Sequence, residues 1–130
     1  MFLNELNKTQ KDAFVNLSIC AAEANDDFAV EEKTMIDEYC REMGIVFENV
    51  AKLSMEQITE IFQQADYHIK KISLFELIGL LFADSVLDQK EKDFLYKYAH
   101  DIGLEENDVN IQVEVMKEYL AVLKKIMDIL

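Results

Sequence analysis

Apolar residues return every three or four positions along almost the whole chain, a spacing that writes a succession of amphipathic helices. Leu3, Leu6, Ala13, Phe14, Leu17, Cys20, Ala21 and Ala24 share one face and predict a first helix over residues 4–24. A second is expected over 30–43, closed by Gly44 as the left-handed residue that ends a helix. After a connector with room for one turn around 48–53, Ser54 and Gln57 form a capping box, with Met55, Ile58, Ile61, Phe62 and Ala65 facing inward. This third helix is expected to fray near Tyr67 and His68.

Ser73 and Glu76 have the spacing of another capping box, opening a helix over 74–82 that is apolar on nearly all sides except at Glu76. A segment of that kind belongs in the centre of the molecule. Asp88 and Glu91 cap a further helix that stops at Gly103. The last element, from about Glu105, carries two apolar stripes. One is Val109, Val113, Met116, Leu120, Leu123 and Met127; the other is Ile111, Val115, Tyr119, Val122 and Ile126. So wide an apolar surface must pack against both halves of the molecule or against a partner.

Residues 24–44 and 83–103 align without a gap. Ala24 falls on Ala83, Asn25 on Asp84, Phe28 on Leu87, Glu32 on Glu91, Lys33 on Lys92, Tyr39 on Tyr98 and Gly44 on Gly103. Met35, Ile36, Cys40 and Met43 coincide with Phe94, Leu95, Ala99 and Ile102. Each copy reads as an acidic corner followed by an amphipathic helix that ends at glycine. Extended to the preceding helices, the repeat covers 14–44 and 73–103 and sets Cys20 opposite Gly79. Two small residues at equivalent places predict a close crossing there.

Proline is absent and glycine occurs three times in 130 residues, so little interrupts helices or builds β-turns. The expected fold is all-α: one domain over 1–130, with six to seven helices built from two related helix-corner-helix halves, and 51% apolar residues to fill its core. The formal net charge of −13 repels nucleic acid and anionic membranes and suits a cationic partner, either a metal ion or a basic protein surface. Between Glu23 and Glu42 eight carboxylates face only Lys33 and Arg41. Solubility alone accounts for much of such a balance. The start of the chain lacks a secretory signal, and no apolar run reaches the roughly 20 residues of a membrane span, so a cytoplasmic location is expected. Cys20 and Cys40 lie on apolar faces without zinc spacing and read as buried, reduced thiols.

Each corner thus carries Ala, then Asp or Asn, a turn residue, any residue, an apolar residue, three more residues and Glu. This pattern resembles the TerB-like family, the bacterial tellurite-resistance protein TerB and its relatives, with the motif A-D-G-x-[IVL]-x-x-x-E at the start of the second helix of a helical pair. It is also similar to the N-terminal domain of membrane-anchored J-domain co-chaperones. On this resemblance the family's Asp falls on Asn25 and Asp84, its Gly on Asp26 and Ser85, its apolar residue on Phe28 and Leu87, and its Glu on Glu32 and Glu91. Neither copy keeps the glycine, and Asn25 lacks the carboxylate, which weakens an ion site at the first corner. The resemblance implies a helical stress-response protein linked to tellurite resistance, with an acidic surface for metal ions or protein partners; it does not imply a known reaction. It also allows a peripheral place at a membrane complex; oligomeric state is open.

Two readings of the corners stay open. Asp84, Asp88 and Glu91 could hold Ca²⁺, Mg²⁺ or Mn²⁺ through oxygen ligands, with Asn25, Asp26, Asp27 and Glu32 as the weaker counterpart. Alternatively, Asp88 and Glu91 serve the capping box and the helix dipole alone. An EF-hand is excluded, since twelve-residue loops from Asp26 or Asp84 lack the central glycine and end at Asp37 or Leu95. Enzyme signatures are missing: no Glu-x-x-His pair, no His-Glu-x-x-His, no phosphate loop and no serine elbow. His68 and His100 read as surface or capping histidines, and Tyr39 and Tyr98 as paired core residues with wetted hydroxyls. The expectation is a non-enzymatic interaction or scaffold module, with divalent-ion binding as the alternative.

Overall fold

The structure, a computed structural model, describes residues 1–24, 30–82 and 87–130, Glu31 by its backbone alone. Among them lie six α-helices and no strand: α1 Lys8–Glu23, α2 Val30–Met43, α3 Met55–Gln63, α4 Tyr67–Leu81, α5 Gln89–Asp101 and α6 Glu106–Ile129. The molecule is a single all-α domain.

Several helix ends sit where local chemistry demands them. Ser54 accepts from the Gln57 N–H at 3.2 Å while the Gln57 side chain accepts from the Ser54 N–H at 2.9 Å. Gly44 and Gly103 have φ of 69° and 93°, the left-handed region where a side chain would be strained. Both close their helices with the same pair of backbone bonds, Ile45 N–H to Cys40 O and Gly44 N–H to Arg41 O, then Leu104 N–H to Ala99 O and Gly103 N–H to His100 O.

Two starts differ from the sequence expectation. The first helix is not continuous from residue 4: a 3-10 turn at Leu3–Glu5 is followed by extended backbone at Leu6 and a reciprocal box in which Asn7 and Gln10 each accept the other's N–H. Leu3 and Leu6 remain buried across the break, so the apolar period hides it. Nor do Ser73 and Glu76 open a helix. Asp66 caps α4 by accepting from the Ile69 N–H at 2.8 Å, and the expected frayed connector at Tyr67 and His68 is its first turn. Ser73 lies mid-helix, donating to Lys70 O at 2.7 Å, which leaves the Tyr98 hydroxyl to donate to Ser73 Oγ at 2.7 Å.

Helix α4 is the hub, in contact with all five other helices. Leu74, Leu77, Ile78, Leu80 and Leu81 are completely buried. The two copies of the repeat bury the same positions: Ile36, Tyr39, Cys40 and Met43 in α2, then Leu95, Tyr98, Ala99 and Ile102, with Met35 and Phe94 half-buried. Each tyrosine meets a phenylalanine edge to face, Tyr39 with Phe14 at 5.5 Å and Tyr98 with Phe62 at 6.3 Å between ring centres. Asn16 clamps the connector before α3, donating to Ala51 O at 2.7 Å and accepting from the Leu53 N–H at 3.1 Å.

Gly79 does not mark a crossing with α1. A Cβ there would lie 3.1 Å from the Met116 methyl and 3.5 Å from the Tyr39 hydroxyl, which itself donates to the α4 carbonyl of Glu76 at 2.9 Å. The glycine leaves room for that hydroxyl to reach a helix backbone. Helix α6 packs its first half on α4 and α5 through Val109 and Met116, whereas beyond Leu120 every residue is exposed.

Candidate interaction groove

At the second corner, the Asp88 carboxylate accepts from the Glu91 N–H at 2.8 Å and the Glu91 carboxylate accepts from the Asp88 N–H at 3.1 Å. Glu91 and its counterpart Glu32 are each 1% exposed, in the first turns of α5 and α2. Asp84, Asn25, Asp26 and Asp27 lie outside the described residues. Among the described residues no three His, Cys, Asp or Glu side chains gather as a metal group would require. The geometry at Asp88 is that of a cap, and Asp88→Ala is expected to cost about 0.5–2 kcal/mol in a urea melt, with or without divalent ions present. A cost that appears only when Ca²⁺, Mg²⁺ or Mn²⁺ is added would assign Asp88 to a metal instead.

A wide concavity lies elsewhere, between α2, α4 and the second half of α6. It has a volume of about 930 Å³. Met35 and Tyr39 form one wall, Phe75, Gly79 and Phe82 the floor, and Met116, Leu120, Leu123 and Met127 the other wall. With Met1, four of the six methionines of the chain line it, giving polarizable, unbranched side chains that adapt to an irregular apolar partner. From Met116 to Met127 the α6 wall runs about 17 Å at 1.5 Å per residue, three turns of helix.

The rim is charged unequally. On the α2 side stand Glu38 and Glu42, with Glu76 below them; on the α6 side stand Lys117 and Lys124, the latter paired with Asp128 at 3.0 Å. Glu42 and Glu76 also hold the start of the chain. The Met1 amine lies 2.8 Å from Glu42 and 3.0 Å from Glu76, and the N–H groups of Phe2 and Leu3 donate to Glu76 at 2.8 Å and Glu42 at 3.0 Å. Partial burial opposes charging that amine, but the bonds and charges of the two carboxylates outweigh it and raise its pKa above the usual value. The sequence signal for this arrangement was Glu76 itself, a lone carboxylate in the most apolar helix.

Reactive groups are held quiet. Burial pushes the thiols of Cys20 and Cys40 and the phenols of Tyr39 and Tyr98 upward, favouring their neutral forms. His68 bonds Glu5 at 2.9 Å, and His100 is exposed in the last turn of α5. No described helix is long and apolar enough to cross a membrane.

Fold and groove together define an all-α domain with a methionine-lined trough on one side, acidic along its α2 rim and carrying two lysines along its α6 rim. No protein-family model, curated protein or solved structure matches the chain.

Proposed function

We propose that this chain is a non-enzymatic interaction module of the tellurite-resistance and stress-response type, whose groove takes the apolar face of a basic helix from a partner protein. The observation that carries the reading is the groove: three helices leave a trough three turns long, floored by glycine and walled by methionines and aromatics. Helix-in-groove recognition requires that shape and lining. Net charge of −13 and Glu38 on the α2 wall favour lysine and arginine on the incoming helix, chiefly by steering encounter, Glu42 being engaged by the Met1 amine. The stress-response assignment rests on the doubled corner motif and its resemblance to the TerB-like family. An ion-binding role has less support, since the side chains of Asp88 and Glu91 are engaged in capping.

The test is a fluorescence anisotropy titration with a labelled Leu/Lys amphipathic helical peptide. Saturable binding that weakens with salt is expected, reduced at least tenfold by Gly79→Leu, which fills the floor, and by Glu38→Lys, which reverses the rim. Glu38 is exposed and its substitution leaves the core untouched. Binding indifferent to both substitutions would place the peptide on the general acidic surface and overturn the groove assignment.

A further inference from the structure

The outer face of α6 carries a second apolar surface that meets the groove only at Tyr119. Val115, Tyr119, Val122, Ile126 and Ile129 follow one another at spacings of four, three, four and three residues, the seam of a coiled coil, and all are exposed, Val122 at 53% and Ile126 at 44%. Only Tyr119 among them also lines the groove. Upstream the same register is already occupied. Asp108 accepts from the Tyr67 hydroxyl at 3.0 Å and Gln112 donates to Lys71 O at 3.1 Å, so α4 covers the seam up to Gln112 and the apolar part begins where α4 leaves it.

We infer that this seam pairs with its own counterpart in a second copy of the chain, the two α6 helices running antiparallel about a two-fold axis near Leu120 and Ala121. The charge pattern selects a second copy over a foreign helix. Residues 114–130 hold Lys117, Lys124 and Lys125 against Glu114, Glu118 and Asp128 and are electrically neutral, although the chain as a whole carries −13. Two copies therefore meet through a segment without net repulsion. The register is self-complementary over four layers: Val115 lies against Ile126 of the second copy and Tyr119 against its Val122, each twice by symmetry, while Ile129 falls beyond the paired layers, level with Gln112. The flanking positions beside this seam are Glu118 and Lys125, of opposite sign, which face each other across an antiparallel pair twice by symmetry. A parallel pair would set each of these charges near an apolar neighbour and gain nothing from them.

Sedimentation velocity on the full chain over a range of micromolar concentrations tests this. The expected result is a reversible shift from 15.1 kDa toward twice that mass as concentration rises. Val122→Glu, at an exposed position, should weaken association at least tenfold while leaving the helical circular dichroism unchanged, and the thermal melt unchanged at concentrations low enough for both proteins to be monomeric. Glu118→Lys and Lys125→Glu should each weaken it several-fold, and the double variant Glu118→Lys with Lys125→Glu should restore it, because the pairs are then merely exchanged. A chain that stays at 15.1 kDa throughout, or that dimerises equally well with Val122→Glu, overturns the proposal. Failure of the double variant to recover overturns the antiparallel register. None of these outcomes bears on peptide binding in the groove, which is read separately.

Discussion

Tyr98→Ala is expected to lower stability by about 3–5 kcal/mol, the range for emptying a large aromatic site in a packed core. Tyr98 is 1% exposed, stacked edge to face on Phe62 and bonded through its hydroxyl to Ser73 in the middle of α4, so three helices share the resulting cavity. Tyr98→Phe keeps the ring and removes one buried hydrogen bond, and should cost only about 0.5–1.5 kcal/mol. Its repeat partner Tyr39 opens partly to the groove, so Tyr39→Ala should cost less than Tyr98→Ala. Urea denaturation of the four proteins, read by helical circular dichroism, gives the order directly. Equal losses for Tyr98→Ala and Tyr98→Phe would mean that the ring packing contributes nothing.

The second large effect is alkaline. The phenols of Tyr39 and Tyr98 ionise only well above the ordinary value of 10.0, because burial penalises the phenolate; Glu76, Glu42 and Glu38 add to this for Tyr39, and the Ser73 bond offsets it slightly for Tyr98. In the unfolded chain both lose their protons near pH 10. Above that pH the unfolded state therefore binds fewer protons than the folded one, and stability falls as pH rises. The two contributions are intact below pH 10 and decline above it, each with a slope approaching about 1.4 kcal/mol per pH unit. Phenolate absorbance should accordingly show two of the five tyrosines titrating together with loss of helical signal. Five independent titrations in a still folded chain would contradict the burial of these side chains.

The helical class, the matched burial of α2 and α5 and the places where they stop were legible because they depend on local chemistry: the 3.6-residue period, the acceptor at Ser54 or Asp88, and the glycines that alone take positive φ without strain. Local chemistry also misled. Ser-x-x-Glu at Ser73 has the form of a cap, yet Ile69 and Ile72 continue the helical period upstream and the helix starts at Asp66. The Asn7 cap is hidden for the converse reason, since Leu3 and Leu6 stay in phase with the helix that follows. At Gly79 the sequence marked a place where something comes close; only the fold shows that the visitor is the Tyr39 hydroxyl and the Met116 methyl.

The groove was beyond the sequence because its walls come from α2, α4 and α6, segments separated by dozens of residues and read separately as core-facing stripes. A sign of it was present in α6, whose two stripes exceed what two halves of a small domain can cover. The corners lie at the other extreme. Their acidic residues dominate the sequence, and at Asp88 and Glu91 the geometry is that of helix capping, while Glu32 and Glu91 are both buried.

Backbone amide chemical shifts, followed by NMR while the unlabelled Leu/Lys peptide is titrated into the isotope-labelled chain, test the central claim most directly. The account predicts that the shifts concentrate on Met35, Glu38, Gly79, Phe82, Leu120 and Leu123, around the trough between α2, α4 and α6. Shifts confined to Asp88, Glu91 and the neighbouring corner, with the amides of Gly79 and Leu120 unmoved at saturation, would contradict it.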